Sequence, residues 1–196
     1  MSKNIAVIIG GPSSEHDISI LTGLQSARIL SKDNKISILY WTKDNNWYLL
    51  DPNLESKDFI DDEKILKKPI ELRVNGDSGF YLKKKKLDID VFLNSCHGGP
   101  GEDGTLQSLL DILRVKYTGP SVVSAQICMD KYVFYTTMKE NGLPVLHKDL
   151  VNNNESEIIW NGRNEYGDKV DNGVYICHYK HLNDTSYSFN IMVINK

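Results

Sequence analysis

The stretch that decides the fold class is Ile5-Ala6-Val7-Ile8-Ile9, closed by Gly10-Gly11. A continuous apolar, largely β-branched run reads as a strand buried on both faces of a parallel sheet, since a half-exposed strand would alternate apolar and polar residues. Beyond the glycines, Ile18, Leu21, Leu24, Ala27, Ile29 and Leu30 recur at roughly helical spacing. That spacing predicts a helix through Ser31 packed back on the sheet. Residues 35–41 (KISILYW) supply a second strand. A parallel crossover needs a helix between its strands, so the order strand, helix, strand opens an α/β layer. The expected architecture is an open parallel sheet with helices on both faces, of the Rossmann-like kind.

Working outward, residues 90–95 (DVFLNS) form the next buried strand, residues 105–113 a helix with one apolar face, and residues 115–118 a short strand closed by Gly119-Pro120. Ser121 caps a further helix through Met129 and Asp130; residues 131–141 continue it until Gly142 stops it near Pro144. Residues 47–50 and 80–82 read as short edge strands around a Lys/Asp-rich middle that the pattern does not place. The tetralysine Lys83 to Lys86 reads as a solvated strand end or hairpin shoulder. After Leu146 the texture changes. Residues 152–156 (NNNES) are linker-like, and from Glu157 onward the pattern is β, with VYICHYK and YSFNIMVI as its longest runs and no helical periodicity.

Composition narrows the function classes. With 40% hydrophobic residues in 196, the chain can bury a real core as one or two domains. A formal charge of -3 offers no basic surface for a phosphate backbone, so nucleic acid is excluded as an expected partner. Cys96, Cys128 and Cys177 are widely spaced and include no CxxC pair. They argue against a disulfide framework or structural zinc and read as buried or idle thiols, with no metal site expected. The N-terminal apolar run meets Gly-Gly too early for a signal peptide or membrane span, which predicts a cytoplasmic protein without membrane contact.

Two loops carry candidate chemistry. Gly10-Gly11-Pro12-Ser13-Ser14-Glu15-His16-Asp17 lies between a buried strand and a helix start. Ligands of open α/β sheets bind there, at the carboxyl ends of the strands. Two glycines permit close backbone approach, the helix N-terminus favours an anionic group, and a carboxylate at Glu15 can hold an ammonium. A plain capping loop, with Ser13, Ser14 or Asp17 serving the helix, fits the same residues. The second loop, Cys96-His97-Gly98-Gly99-Pro100-Gly101-Glu102-Asp103-Gly104-Thr105, follows strand DVFLNS. Four glycines let backbone wrap a ligand, with His97 and Glu102 as titratable groups at the crevice mouth. A glycine-rich turn capped by Asp103 or Thr105, with His97 satisfied by backbone, is the competing reading.

Taken together and in order, GGPSSEHDIS and HGGPGEDGTLQSLLDILRVKYTGPSVVSAQICMDK resemble the D-alanine:D-alanine ligase family over about three quarters of the chain. The resemblance implies a three-domain ATP-grasp enzyme concerned with peptidoglycan synthesis. In it ATP phosphorylates the carboxylate of one D-alanine and the amine of a second attacks the acyl phosphate. It implies that Glu15 interacts with the ammonium of the first D-alanine, that His97 borders that substrate with Gly98 and Ser14 beside it, and that Lys131 of Met129-Asp130-Lys131 reaches the ATP phosphates. A point charge suits phosphate oxygens. ATP and magnesium are the implied cofactors, D-alanine the implied small-molecule substrate. Relatives commonly pair through the first domain, so a homodimer there is a further expectation.

On this basis residues 1–120 are expected to be the ligase-like N-terminal domain, 121–147 the first helix of the central domain, 148–156 a linker and 157–196 a β-rich tail. A full ligase needs roughly 300 residues at ordinary domain sizes, and residues 147–196 match none of the family's further ATP, magnesium or transition-state elements. Because phosphoryl transfer depends on positioning and charge neutralisation, the chain alone is expected to be inactive or nearly so. The segment IWNGRNEYG at 159–167 with NGVY at 172–175 resembles instead the end of FlgD-like immunoglobulin-type β modules of secreted bacterial proteins. A truncated or fused reading frame is the expectation. The rival from another class is a non-catalytic binding or adaptor protein, whose crevice holds a small amino acid and whose β tail makes contacts. A dinucleotide dehydrogenase is disfavoured, since the first loop lacks GxGxxG and no acid ends KISILYW.

Overall fold

Strand β1 (Asn4–Gly10) is the centre of the sheet, and its residues divide strictly between two cores. Ile5, Val7 and Ile9 pack with Ile20, Leu24 and Ala27 of helix α1 (His16–Leu30). Ala6 and Ile8 face the opposite way, into a cluster with Leu106, Leu110 and Leu113, residues of or just after α2 (Thr105–Ile112). The expected helices on both faces are thus present. Residues Ala6 to Ile9 are 0% exposed, and each fully buried large aliphatic side chain contributes about 1.5–3 kcal/mol. From Ile5 to Ile9 the sequence has no polar residue, because neither face of the strand meets water there.

Described here from a computed structural model are residues 2–145, 163, 167–180 and 186–193. Two compact units divide the chain, Met1–Thr137 and Met138–Lys196. In the first, β2 (Lys35–Trp41) and β7 (Val91–Asn94) flank β1 in parallel register, Ile5 opposite both Ile36 and Val91. Strand β3 (Trp47–Leu50) adds an antiparallel edge to β2, giving the order β3-β2-β1-β7. The sheet is therefore mixed at one edge and parallel elsewhere.

The polar middle that sequence left unplaced holds 3-10 turns at Ser56–Phe59 and Asp62–Lys64, then a separate antiparallel sheet of β4 (Ile70–Arg73), β5 (Gly79–Leu82) and β6 (Lys85–Lys86). Lys83 and Lys84 make the β5–β6 turn, so the lysine run is a hairpin shoulder as expected. This small sheet is tied to the α2-side core by aromatic packing. Trp41 and Trp47 stack at 5.1 Å between ring centroids, Trp47 meets Phe80 edge-on at 5.4 Å, and Phe80 lies 5.0 Å from Phe92. Such geometries add about 0.5–1.5 kcal/mol each beyond buried area.

Two local expectations need correction. Residues 115–118 do not form a strand; only Tyr117 bridges to Phe92, through Phe92 N–H to Lys116 O and Thr118 N–H to Phe92 O. The segment is too short and too close to Gly119-Pro120 to extend the ladder. Nor does one helix run from 121 to 141. Helix α3 (Val122–Met129) ends at Asp130, whose ψ of 103° is extended, and α4 (Lys131–Glu140) starts afresh. The Asp130 carboxylate accepts from the N–H groups of Tyr132 and Val133 at 2.9 and 3.0 Å, so it caps the new helix instead of continuing the old one.

In the second unit, β8 (Gly173–Lys180) and β9 (Ser186–Val193) pair antiparallel, Gly173 opposite Val193 and Lys180 opposite Ser186. This agrees with the expected β tail. The linker at 152–156 and most of the 159–167 stretch lie outside the described residues. Among the described residues no helix is long and apolar enough to cross a membrane.

Candidate substrate-binding site

Both glycine loops leave the carboxyl end of the sheet, from adjacent parallel strands β1 and β7. The first is anchored by its histidine. His16 is 3% exposed; its Nδ1 lies 2.6 Å from Gly11 O and its Nε2 2.9 Å from the Tyr40 hydroxyl. A carbonyl only accepts, so Nδ1 carries the proton and Nε2 accepts from the Tyr40 O–H. Gly11 N–H donates to Trp41 O at 2.7 Å, fixing the loop to β2 as well. His16 is thus a structural fastener of the first loop. The expected caps also change. Position Glu15 precedes α1 without a side-chain cap bond, and Ser13 Oγ turns away from the helix to donate to His97 O at 2.7 Å while accepting from Glu15 N–H at 3.1 Å.

The second loop is held from three sides. Asn94, last residue of β7, accepts from Cys96 N–H and donates from its amide to Gly101 O, both at 2.9 Å, so one side chain staples the two ends of the loop. Gln107 Nε2 donates to the same carbonyl at 3.3 Å. His97 N–H donates to Ser19 Oγ at 2.8 Å, and its Nε2 sits 3.1 Å from Thr22 Oγ1, both on α1. The other ring nitrogen, Nδ1, lies 3.5 Å from the Glu102 carboxylate, the two side chains being 34% and 46% exposed. Asp103 accepts from Thr105 N–H at 2.9 Å, which serves the start of α2 as expected of it; Thr105 does not play that part.

What brings Glu15 to the second loop is Gly98. Its φ of +67° favours glycine, and a Cβ there would sit 3.0 Å from Glu15 Oε1. The carboxylate therefore lies directly over the Gly98 backbone, one residue from His97. Ser14 is exposed on the same turn as Glu15. Lys131 is exposed at the first residue of α4 and does not line the cleft described next. The structure thus gathers Glu15, Gly98 and His97, keeps Ser14 adjacent, and places Lys131 separately.

A cleft of about 510 Å³ opens beside His97 and Glu102, floored by Leu93 to Cys96 and walled by Thr22 of α1, Gln107 of α2 and Ala125 of α3. Another, of about 580 Å³, lies between the start of α1 and the β2–β3 turn, against Tyr40, Lys43 and Phe59. Cys96 is buried, and burial first, then the Glu102 charge, pushes its thiol up to about 12. It is thereby held protonated and a poor nucleophile. Cys128, by contrast, is exposed. Sequence reading weighed Ser13 only as a helix cap and passed over Ser19, Thr22 and Asn94. Ser19 and Thr22 are three apart on one helical face, and Asn94 is a polar residue at the end of an otherwise apolar strand, so signals existed for these three.

An α/β domain whose two glycine loops meet at the carboxyl end of a parallel sheet, one offering an acid and the other glycines and an imidazole, has the groups that can hold a small polar molecule. The family described as D-ala D-ala ligase N-terminus matches residues 4–120, and the chain belongs to it. The D-alanine–D-alanine ligase of Staphylococcus epidermidis is 35% identical over 151 residues, covering 74% of this chain and 40% of that protein. That of Wolinella succinogenes is 34% identical over 162 residues, covering 81% and 46%. Among solved structures, the ligase of Helicobacter pylori superimposes with a TM-score of 0.68 at 29% identity, over 78% of this chain and 46% of its own. The ligase of Coxiella burnetii gives 0.66 at 28%, over 74% and 43%. The chain spans less than half the length of these relatives.

Proposed function

We propose that the unit Met1–Thr137 is the D-alanine-binding front part of a D-alanine:D-alanine ligase, in which Glu15 holds the ammonium of the first D-alanine while Gly98, His97 and Ser14 border it. The observation that carries this reading is the seating of the Glu15 carboxylate over the Gly98 backbone, 3.0 Å from where a Cβ would be. An acid with glycine beside it has room for a compact ammonium group, and two convergent backbones fix its position. Family membership supports the choice of D-alanine.

ATP is the family's phosphoryl donor, and magnesium would neutralise its phosphates. The described residues do not make a site for either. Lys131 is a single exposed lysine, and no group of three His, Cys, Asp or Glu side chains among the described residues is arranged to hold a metal ion. The role of this chain is amino-acid binding, with ligation itself negligible for it alone. Cytoplasmic location and pairing through the first unit belong to the same proposal.

The test is calorimetric titration of the full chain with D-alanine and L-alanine, alongside a coupled ATPase assay. D-alanine should bind in the millimolar range and more tightly than L-alanine. Glu15→Gln should weaken it about tenfold, as expected for losing a charged hydrogen bond of about 1.5 kcal/mol. Unchanged affinity in Glu15→Gln would reject the role of Glu15. Robust D-alanine-dependent turnover would reject the claim that the chain does not ligate by itself.

A further inference from the structure

Strands β1 and β7 are joined by backbone hydrogen bonds as far as Ser95 N–H to Ile8 O, at 3.0 Å. Beyond that point the two loops leave the sheet, and among the described residues no backbone N–H of one loop donates to a backbone carbonyl of the other. Two serine hydroxyls bridge them instead. Ser13 Oγ accepts from Glu15 N–H at 3.1 Å and donates to His97 O at 2.7 Å. Ser19 Oγ accepts from His97 N–H at 2.8 Å and donates to Glu15 O at 3.0 Å.

Each hydroxyl spends its one proton on a carbonyl and a lone pair on an N–H, so the four bonds close a ring. In that ring the N–H and C=O of Glu15 meet the C=O and N–H of His97, each through one oxygen. It is the two-bond exchange of an antiparallel residue pair with a hydroxyl inserted in each bond. Local turn chemistry explains only half of it. A serine two residues before an N–H, or four after a carbonyl, commonly bonds it. The other bond of each serine goes to residue 97, which is 84 positions from Ser13 and 78 from Ser19. Ser19 is 0% exposed, so water does not compete for its pair of bonds.

We infer that Ser13 and Ser19 are positioning residues of the amino-acid site: their hydroxyls clasp Glu15 to His97, so that acid and imidazole meet the ligand as one preorganised unit. The inference rests on the reading of Glu15 as the partner of the ammonium. A ligand held by groups on two loops binds more weakly when the loops move separately, because their ordering is then a cost of binding.

Titration of the full chain with D-alanine, combined with NMR amide hydrogen exchange of the ligand-free chain, tests it in Ser13→Ala, Ser13→Thr and Ser19→Ala. Each alanine variant should weaken D-alanine about fivefold, and Ser13→Thr, which keeps the hydroxyl, should stay within about twofold of the parent chain. A serine that served only its own turn would alter exchange only at the amide it accepts from. The clasp predicts a crossed effect: Ser13→Ala should speed exchange of the His97 amide about tenfold although its acceptor, Ser19, is intact, and Ser19→Ala should do the same to the Glu15 amide. Should Ser19→Ala fail to fold, the two Ser13 variants decide alone. Absence of the crossed effect would overturn the proposal. So would affinity unchanged in Ser13→Ala while Glu15→Gln weakens D-alanine, or a loss that Ser13→Thr does not restore. A crossed effect with D-alanine indifferent to Glu15→Gln would reject the Glu15 reading and leave the coupling of the two loops standing.

Discussion

His16 and His97 open or close the two glycine loops of one sheet edge, and the structure uses them in opposite ways. His16 is buried, with both ring nitrogens occupied by Gly11 O and the Tyr40 hydroxyl; it ties its loop to the strand beside it. His97 is one third exposed, reaches Thr22 on one side and Glu102 on the other, and faces the cleft. In the first loop the imidazole is a fastener, and the neighbouring Glu15 is the group proposed to hold an ammonium. In the second, Asn94, Gln107 and Ser19 fasten the backbone, and the imidazole stays partly exposed at the cleft. The lesson is that a histidine in a ligand loop acquires its role from what else secures the backbone.

The largest way to break that contrast is at the root of the first loop. Gly10 has φ +86°, and a Cβ there would lie 2.4 Å from Trp41 O, so Gly10→Ala meets rigid backbone and a strained dihedral together. We expect a loss of about 4 kcal/mol or more in urea unfolding; a loss under half of that would mean the loop relaxes freely. Next in size is His16→Ala, which removes two buried hydrogen bonds, to Gly11 O and to the Tyr40 hydroxyl, and leaves a cavity where the ring was. The expected cost is roughly 3 kcal/mol, with the folded fraction at 37 °C visibly reduced by circular dichroism.

The second loop has its own buried group in Cys96, and here the contrast can be read through pH. Its folded pKa stands raised, at about 12 against an ordinary 9.0, so the folded state favours the protonated thiol. The stabilisation is fully present below pH 9 and is lost as pH rises toward 12, at about 1.4 kcal/mol per pH unit within that window. Comparing the chain with Cys96→Ala between pH 8 and pH 10.5 isolates the effect, because the variant should show a shallower decline; parallel slopes would refute it. The smallest effect is expected for His97→Ala. Being partly exposed and backed by Asn94, it should change stability by about 0.5 kcal/mol or less while weakening D-alanine. A large destabilisation would make His97 a second fastener and erase the distinction.

These residues also mark how far sequence reading reached. The run at 5–9 declared a two-faced strand, and α1, β2, β7 and α2 followed from periodicity, since those elements bury a stripe or face that must recur at fixed spacing. The β4–β6 sheet was mostly invisible, because Ile70 and Phe80 are scattered among charges and are buried by joining the cluster around Trp47. The break at Asp130 was invisible too: an aspartate inside helical periodicity reads as continuation until ψ 103° shows it capping a new start.

For the site, the order and content of the two loop motifs determined on their own which family the chain resembles and that Glu15 and His97 were worth attention, because glycine, acid and imidazole at strand ends are chemically restrictive. Only the tertiary structure decided that Glu15 rests on Gly98, that His16 belongs to the scaffold, and that Asn94 and Gln107 meet at Gly101 O. Those pairs are separated by tens of residues or depend on which way a side chain turns. Local sequence carries propensity and period, whereas the partner of a hydrogen bond is chosen by where distant segments come to lie.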